Sequence, residues 1–356
     1  MEKRIQNIRD LLEIKQADAI LIKSKTNKRY VKALTGSGVK VLITKDEIYQ
    51  IMDGRYINEA KETTQGFTLI VHDQGKNYLD EVAGIIGNTA RLAIEANQVL
   101  AKEYLSMKDY GFDVVLVENE LEYIRRIKDE QEIDLMKKAC EITDMIFKEV
   151  IATIKIGTKE SDVSALLQYL AIKNGANGMA FDTIVASGPR GSMPHGRPTD
   201  REFQEHDFIT IDFGITYKGY QSDMTRTICL GEPNPELKKI YDIVLEAQQA
   251  GVDFIKPGVT GKEVDEHVRG IITQYGYGEY FTHGLGHGMG MGDGEFPLLN
   301  QRSETVLEEG MVMSCEPGIY IPNLGGVRIE DDVWIKDGKG VPLNKTTKEL
   351  IVLEVK

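Results

Sequence analysis

The chain of 356 residues carries 43 basic against 56 acidic residues, a formal net charge of −13, and has no stretch rich in lysine and arginine. This balance argues against duplex nucleic acid and anionic membranes as partners. No apolar run approaches the roughly 18 residues of a membrane-spanning helix, and the charged opening Met1-Glu2-Lys3-Arg4 does not resemble a signal peptide. We therefore expect a cytoplasmic protein, long enough for two domains.

The first third of the chain predicts an α/β domain. Residues 1–15 have the pattern of an amphipathic helix, and short apolar stretches predict strands at 19–22, 39–43, 48–52, 68–71, 92–94 and 114–116. Helical patterns near 55–64, 77–87 and 99–109 alternate with these strands, which indicates a mixed sheet. This part of the sequence carries no combination of residues with an evident chemistry of its own.

The pattern then changes to a long helix predicted from about residue 121 to residue 154, and we place the domain boundary at its start, giving domains 1–123 and 124–356. The residues spaced to bury one side of this helix are Ile124, Ile127, Ile133, Leu135, Met136, Ile142 and Ile146. Further helices are predicted at 240–255 and after the loop 257–261. The second domain is therefore expected to be α+β, with helices outside an antiparallel sheet.

A β-hairpin is predicted around the turn signal Lys218-Gly219. In this register Asp212 faces Thr225, and Asp212 and Asp223 leave the sheet on the same face. Two buried like charges repel each other unless one is protonated or a cation lies between them. This segment alone leaves two interpretations open, a metal site and a pair of solvated hairpin aspartates.

The segment THGLGHGMGMGDGEFP, residues 282–297, has glycine at every even position from Gly284 to Gly294. A period of two predicts an extended strand, since so much glycine would destabilise a helix. His283 and His287 then share the face that bears side chains, while the glycine face can lie flush against another layer. The alternative is a flexible glycine-rich loop with incidental histidines.

Two later segments add carboxylates. GMVMSCEPGIY predicts a buried strand that ends at Glu316, and GGVRIEDDVWI places Arg328, Glu330 and Asp332 on one face. Solvated surface charge explains such a set poorly, because each member lies in otherwise apolar strand. An oxygen-rich site with one imidazole suits Mn²⁺, Co²⁺, Fe²⁺ or Zn²⁺ better than Ca²⁺. The candidate ligands are Asp212, Asp223, His287, Glu316 and Glu330.

With these motifs the sequence resembles the Xaa-Pro peptidases, aminopeptidase P and prolidase. The motifs are DFGxxYxGYxSDxTRT, HGxGHGxG, EPGIY and GGVRIED, in this order. Residues 181–201, FDTIVASGPRGSMPHGRPTDR, look like the substrate-side histidine loop of the same family. In the first domain, TNKRYVKALTGSG and MDGRY are similar to a creatinase-type N-terminal domain, although that part of the resemblance is looser.

The resemblance implies an α/β creatinase-like domain followed by an α+β catalytic domain of the "pita-bread" fold. It also implies a dinuclear metallo-exopeptidase that hydrolyses the bond before proline by a metal-bridged water. The implied cofactors are two divalent ions, Mn²⁺ first, with Co²⁺, Fe²⁺ or Zn²⁺ as alternatives. The implied substrates are Xaa-Pro dipeptides or short peptides, and a homodimer is expected.

The resemblance also assigns roles to single residues. The five candidate ligands would hold the ions, and Glu316 would in addition serve as general base. His195 and His283 would bind the peptide and stabilise the oxyanion. Arg328 would fix the metal carboxylates, and Tyr217 is expected to help orient them. Without the resemblance, His195 would be interpreted as an ordinary loop histidine.

Several alternatives remain open at this stage. A pita-bread enzyme could act on another substrate, as creatine amidinohydrolase and methionine aminopeptidase do, or the chain could be a non-catalytic interaction protein. Dipeptidase and aminopeptidase activities are not separated by the sequence. Relatives usually carry a histidine in the motif H-E-x-P, whereas this chain has Gly294-Glu295-Phe296-Pro297. This departure predicts one missing substrate contact, and hence weak Xaa-Pro hydrolysis or a shifted substrate.

Overall fold

The structure, a computed structural model, describes residues 1–73, 75–292 and 295–355. The chain divides into two compact units, Met1–Arg125 and Arg126–Lys356. No described helix combines the length and the apolar character needed to span a bilayer.

The first unit is built on a six-stranded sheet in which β1 lies antiparallel to β2 and parallel to β5, in the order β4-β3-β2-β1-β5-β6. Its elements are α1 (Glu2–Lys15), β1 (Ala19–Ile22), α2 (Lys25–Tyr30), β2 (Lys40–Thr44), β3 (Ile48–Met52), α3 (Ile57–Thr63), β4 (Thr68–Val71), α4 (Tyr78–Ile86), β5 (Arg91–Glu95), α5 (Ala101–Asp109), β6 (Asp113–Val117) and α6 (Glu120–Arg125). The predicted α/β domain with a mixed sheet is confirmed.

The single long helix predicted from about residue 121 is wrong. The chain forms α6 and then a separate helix α7 (Glu130–Ile151). Asp129 starts α7 with a capping box, in which its side chain accepts from the Glu132 backbone N–H and the Glu132 carboxylate accepts from the Asp129 N–H. Ile127 lies between the helices and is 36% exposed, so it does not belong to the buried stripe.

The part of the second unit that the structure describes contains four longer helices and several small sheets. After α7 its elements are α8 (Glu160–Lys173), β7 (Gly178–Met179), β8 (Ile184–Ser187), a 3-10 turn (Gly188–Ser192), β9 (Phe208–Phe213), β10 (Ile215–Tyr217), β11 (Tyr220–Gln221), β12 (Met224–Leu230), α9 (Pro235–Phe254), α10 (Gly261–Gln274), a 3-10 turn (Gly278–Tyr280), β13 (Val312–Cys315), β14 (Gly318–Ile321), β15 (Gly325–Arg328), β16 (Asp331–Lys336), β17 (Lys339–Pro342) and β18 (Val352–Leu353).

Apolar clusters hold the helices of this unit on its strands. Helices α7 and α8 pack on β8, β9 and β12, and α9 and α10 pack on the region of β13 to β16. Along β9, Ile209, Ile211 and Phe213 enter the first cluster, so the alternation of a strand turns Asp212 to the opposite side. The helices thus cover one side of the strands and leave the other for the carboxylates, which confirms the α+β prediction.

The predicted hairpin register is confirmed. Asp212 pairs with Thr225, and Tyr217 pairs with Tyr220. Lys218 and Gly219 both have positive φ, 47° and 89°, as a two-residue turn between twisted strands requires.

The continuous strand predicted over the glycine-rich segment is wrong, because none is assigned between residues 281 and 292. Its backbone is held by isolated contacts, such as the bridge between Gly286 and Leu299. The close approach expected of the glycine face is nevertheless present, since a Cβ on Gly286 would lie 2.2 Å from the Ser314 carbonyl oxygen. Glycine is therefore required here by the backbone that packs against it.

Candidate metal centre

Three carboxylates from different elements meet on the side of the strands that faces away from the helices. Asp212 stands near the end of β9, Asp223 directly precedes β12, and Glu330 lies between β15 and β16. Each offers one oxygen within 4.8 Å of the others. The three residues are 7%, 6% and 1% exposed, so water does not separate their charges, and the interpretation as solvated hairpin aspartates is wrong.

The donor set fits a divalent cation. Among the described residues, Asp212 Oδ1, Asp223 Oδ1 and Glu330 Oε1 are buried and have no hydrogen-bond partner. Burial, together with repulsion from the neighbouring carboxylates, raises the pKa of both Asp223 and Glu330 well above the usual range. Orphaned oxygens and unpaired buried charge are both costly, and a bound cation would remove both costs.

His287 and Glu316 complete the cluster. His287 Nε2 lies 3.7 Å from Asp223 Oδ2 and 3.6 Å from Glu316 Oε1. Ser314, on β13, accepts from the His287 backbone N–H and donates from its hydroxyl to Glu316 Oε1, both at 3.0 Å. The structure therefore brings the five candidate ligands predicted from the sequence together in one place.

Arg328 is the main cation beside this cluster. Its Nη2 donates to Asp212 Oδ2, its Nε donates to the Thr225 hydroxyl at 3.1 Å, and its Nη1 donates to the Tyr320 hydroxyl at 2.9 Å. Thr225 in turn donates to Glu330 Oε2. One buried guanidinium thus fixes two of the carboxylates, Asp212 directly and Glu330 through a hydroxyl.

Tyr320 makes the orienting contact that we expected of Tyr217. The Tyr320 hydroxyl lies 2.8 Å from His283 Nε2 as well as beside Arg328. Tyr217 instead packs against the apolar cluster under α7 and α8, with the Lys218 ammonium 5.5 Å from its ring centroid. Only the closing position of the motif EPGIY hinted at Tyr320, because nothing local in the sequence shows a contact made 37 residues away.

An ion pair on α10, between buried Asp265 and partly buried Arg269, holds the backbone on both sides of His283. Arg269 donates to Asp265 Oδ2 and Oδ1 at 2.8 and 3.0 Å, and also to the carbonyl oxygens of Phe281 and His283, both at 2.7 Å. Asp265 Oδ1 accepts from the Leu285 N–H at 2.9 Å. This pair was not predicted from the sequence, although its spacing of four residues on a helix is a recognisable signal.

Asp332, which the sequence placed on the face of Glu330 without a role, lies behind Asp223. Asp332 Oδ2 accepts from the Asp223 backbone N–H at 2.9 Å and from the Cys140 thiol. Burial raises the pKa of Asp332 to about 7. Its contact fixes the backbone of Asp223 at the point where β12 begins.

A cavity of about 800 Å³ opens beside the carboxylates. His195 and His283 both face it, as do the five candidate ligands and Arg328. Burial lowers the pKa of His283, which favours the neutral ring. Gly294, where relatives carry a further histidine, lies outside the described residues.

Comparisons with known proteins agree with this site. The model for metallopeptidase family M24 matches residues 134–337, and the model for the Creatinase/Prolidase N-terminal domain matches residues 4–127. The chain is 41% identical to the "Uncharacterized peptidase YqhT" of Bacillus subtilis, over 98% of this chain and 100% of that protein. It is 40% identical to the "Xaa-Pro dipeptidase" of Pyrococcus horikoshii, over 99% of both.

A solved structure gives the same result. The Xaa-Pro dipeptidase from Bacillus anthracis matches with a TM-score of 0.95 and 40% identity, covering 99% of each chain. The resemblance inferred from the motifs, and the two-domain fold class that it implies, are confirmed.

Proposed function

The chain belongs to metallopeptidase family M24, and we propose that it hydrolyses the peptide bond before proline in Xaa-Pro dipeptides, using two divalent metal ions. The observation that carries this proposal is the convergence of the Asp212, Asp223 and Glu330 carboxylates, each with an orphaned oxygen, in one cavity. A non-catalytic interaction protein would have no reason to keep these buried charges together, because each costs stability when no cation is bound.

The ions would be held by Asp212, Asp223, His287, Glu316 and Glu330, and the oxygen-rich set favours Mn²⁺. When bound, such ions polarise the scissile carbonyl and make water a stronger nucleophile at neutral pH. Arg328 would keep Asp212 and, through Thr225, Glu330 in place for binding.

Glu316 is proposed as general base. Its Oε1 already accepts from the Ser314 hydroxyl, which orients the carboxylate at the edge of the cluster. Glu316 would take a proton from the attacking water and deliver it to the prolyl nitrogen, which must be protonated to leave as an amine. Its contact with the cavity makes this transfer possible without a further residue.

His195 and His283 are proposed to bind the peptide and to stabilise the oxyanion that forms at the scissile carbonyl. Both rings face the cavity. The Tyr320 hydroxyl and the Gly284 carbonyl oxygen contact the two ring nitrogens of His283, so that its orientation is defined before substrate binds. The ring would give up one of these contacts in order to donate to the oxyanion.

The preference for proline is proposed to come from the shape and polarity of the cavity wall. The prolyl nitrogen is a tertiary amide with no N–H to donate, so its site needs no acceptor at that point. Apolar side chains that can meet the ring line the same cavity: Phe181, Ile184, Phe281 and Met289.

The homodimer, the cytoplasmic location and the domain boundary at residues 123 and 124 stay predictions from the sequence.

A peptide assay tests the proposal. Purified protein is loaded with Mn²⁺ and offered Ala-Pro, Ala-Ala and Ala-Pro-Ala. We expect cleavage of Ala-Pro well above Ala-Ala, and little cleavage of Ala-Pro-Ala. Equal cleavage of Ala-Ala would contradict the proline preference, and efficient cleavage of Ala-Pro-Ala would favour an aminopeptidase. Metal-loaded protein that cleaves none of the three would contradict the proposed function.

A further inference from the structure

One buried carboxylate holds both ends of the segment that carries His195. Glu160, the first residue of α8, is 0% exposed. Its Oε1 accepts from the Ser187 N–H and hydroxyl at 2.9 and 2.7 Å. Its Oε2 accepts from the Thr199 N–H and hydroxyl at 3.0 and 2.7 Å. One oxygen of Glu160 therefore holds the start of the segment 187–199, where the chain leaves β8, and the other oxygen holds its end.

A cation from inside the same segment completes this arrangement. Arg190 Nε donates to both oxygens of Glu160, at 3.3 and 3.1 Å. Arg190 Nη2 donates to the Arg197 carbonyl oxygen at 2.7 Å. A buried carboxylate is tolerated when it is paired and fully hydrogen-bonded, so this part of the molecule gains order without an uncompensated charge.

The middle of the segment is hydrogen-bonded to Arg328, the arginine beside the metal carboxylates. The Pro194 carbonyl oxygen, directly before His195, accepts from Arg328 Nη1 at 3.1 Å. Earlier in the segment, Gly191 lies so close to β15 that a Cβ on it would come within 3.0 Å of the Gly326 nitrogen. The place of His195 relative to the metal carboxylates is thus set at three points: the two ends at Glu160 and the centre at Arg328.

We propose that Glu160 is a positioning residue for catalysis, which fixes His195 against the metal cluster by holding residues Ser187 and Thr199. Glu160 is not among the described residues that line the cavity, so it acts through the segment and not on the peptide. The proposal rests on the role assigned to His195 in the proposed function. It adds that specificity at this wall depends on a carboxylate outside the cavity.

The first test uses the isosteric substitution Glu160→Gln. Its amide group replaces one acceptor oxygen with a donor, so that the backbone N–H at one end of the segment loses its acceptor, while the hydroxyl at that end can turn to accept from the amide. We expect kcat/KM for Ala-Pro to fall about 10²-fold, the effect of a displacement of about 1 Å at a catalytic group, while the bound metal measured by mass spectrometry is unchanged.

A double-mutant cycle separates positioning from general stability. If Glu160 acts through His195, Glu160→Gln combined with His195→Ala should be no slower than His195→Ala alone. Asp265→Asn is the matched control, because Asp265 is equally buried but holds the His283 segment. The loss in kcat/KM of the Asp265→Asn, His195→Ala double variant should be the product of the two single losses. The proposal would be overturned if the losses of Glu160→Gln and His195→Ala also multiplied, or if Glu160→Gln lost its metal.

Two further measurements keep the proposal testable. Thr199→Val removes a single donor to Glu160, so it should fold even if Glu160→Gln does not, and its smaller loss in kcat/KM should vanish in the His195→Ala background. Limited trypsin digestion should cut after Arg190 faster in Glu160→Gln than in the wild type. This readout needs no Xaa-Pro activity, so failure of the proposed function and failure of the positioning role are distinguished. Equal cleavage rates would contradict the role.

Discussion

At the scale of single residues, Asp223 and Glu330 are the carboxylates that most need a bound cation, because they are buried within 4.8 Å of each other. We expect Asp223→Ala and Glu330→Ala to abolish turnover even after Mn²⁺ is added, because each removes a ligand that no neighbour replaces. Metal content by mass spectrometry should fall in parallel. Asp182→Ala is the control, since Asp182 lines the same cavity but is 75% exposed and paired with Arg197. Near-normal turnover of Glu330→Ala would refute the ligand assignment.

The two histidines should behave differently from the ligands. His195→Ala and His283→Ala are each expected to lower kcat/KM by about 10²–10³ as a substrate or oxyanion donor is lost, while the metal content stays unchanged. Steady-state kinetics and metal analysis on the same preparations check this. Loss of metal from His283→Ala would show that His283, and not His287, is the ligand.

Much of the proposed site was predictable at this scale, because the five candidate ligands lie in motifs made of residue types that bind metal ions. The supporting residues were not. Glu160, Asp265 and Tyr320 act through contacts with backbone groups or with residues far along the chain. A carboxylate at a helix start looks the same in the sequence whether it caps a helix or holds a distant loop.

At the scale of elements, the glycine-rich segment depends on close backbone packing against β13. Gly286→Ala should lower the thermal midpoint and weaken metal binding, because its Cβ would lie 2.2 Å from the Ser314 carbonyl oxygen and Ser314 contacts both His287 and Glu316. Gly270→Ala, within α10, has no heavy atom within 4 Å of its Cβ. That control should gain about 0.5–1 kcal/mol from helix propensity. Calorimetry that found Gly286→Ala as stable as wild type would contradict the packing argument.

Periodicity predicted the type of most elements and failed where side chains override it. The apolar spacing continues past Ile127, yet the capping box of Asp129 and Glu132 starts a new helix there. The alternating glycines predicted a strand, but residues 285–289 hydrogen-bond to residues 312–316 without forming a continuous strand themselves. The first failure comes from a local capping box and the second from contacts with a later segment, and a pattern of apolar residues contains neither.

At the scale of the whole molecule, bound metal should be part of the stability of the fold. The folded site gathers carboxylates that repel each other without a cation, whereas the unfolded chain disperses them. Removing metal with a chelator should lower the thermal midpoint, and returning Mn²⁺ to 100 times its dissociation constant should add about 2.7 kcal/mol for each site that it fills. An identical midpoint with and without metal, measured by scanning calorimetry, would contradict the coupling.

The class of both units followed from the sequence, since strands alternating with helices and clustered strands with flanking helices are global patterns. The contacts that join β9 and β12 to the region of β15 and β16 around the carboxylates did not, because they are made between segments more than a hundred residues apart. Only the shared motifs indicated that these segments meet.

The most direct measurement is a titration of metal-stripped protein with Mn²⁺, in which bound metal and Ala-Pro turnover are followed in the same samples. The structure predicts no turnover without metal and a rise in turnover that follows the bound metal to saturation. The same titration of Glu330→Ala should show none. Ala-Pro hydrolysis that persists in the stripped protein, or that stays absent after the wild-type site is filled, would contradict a metal-dependent Xaa-Pro hydrolase.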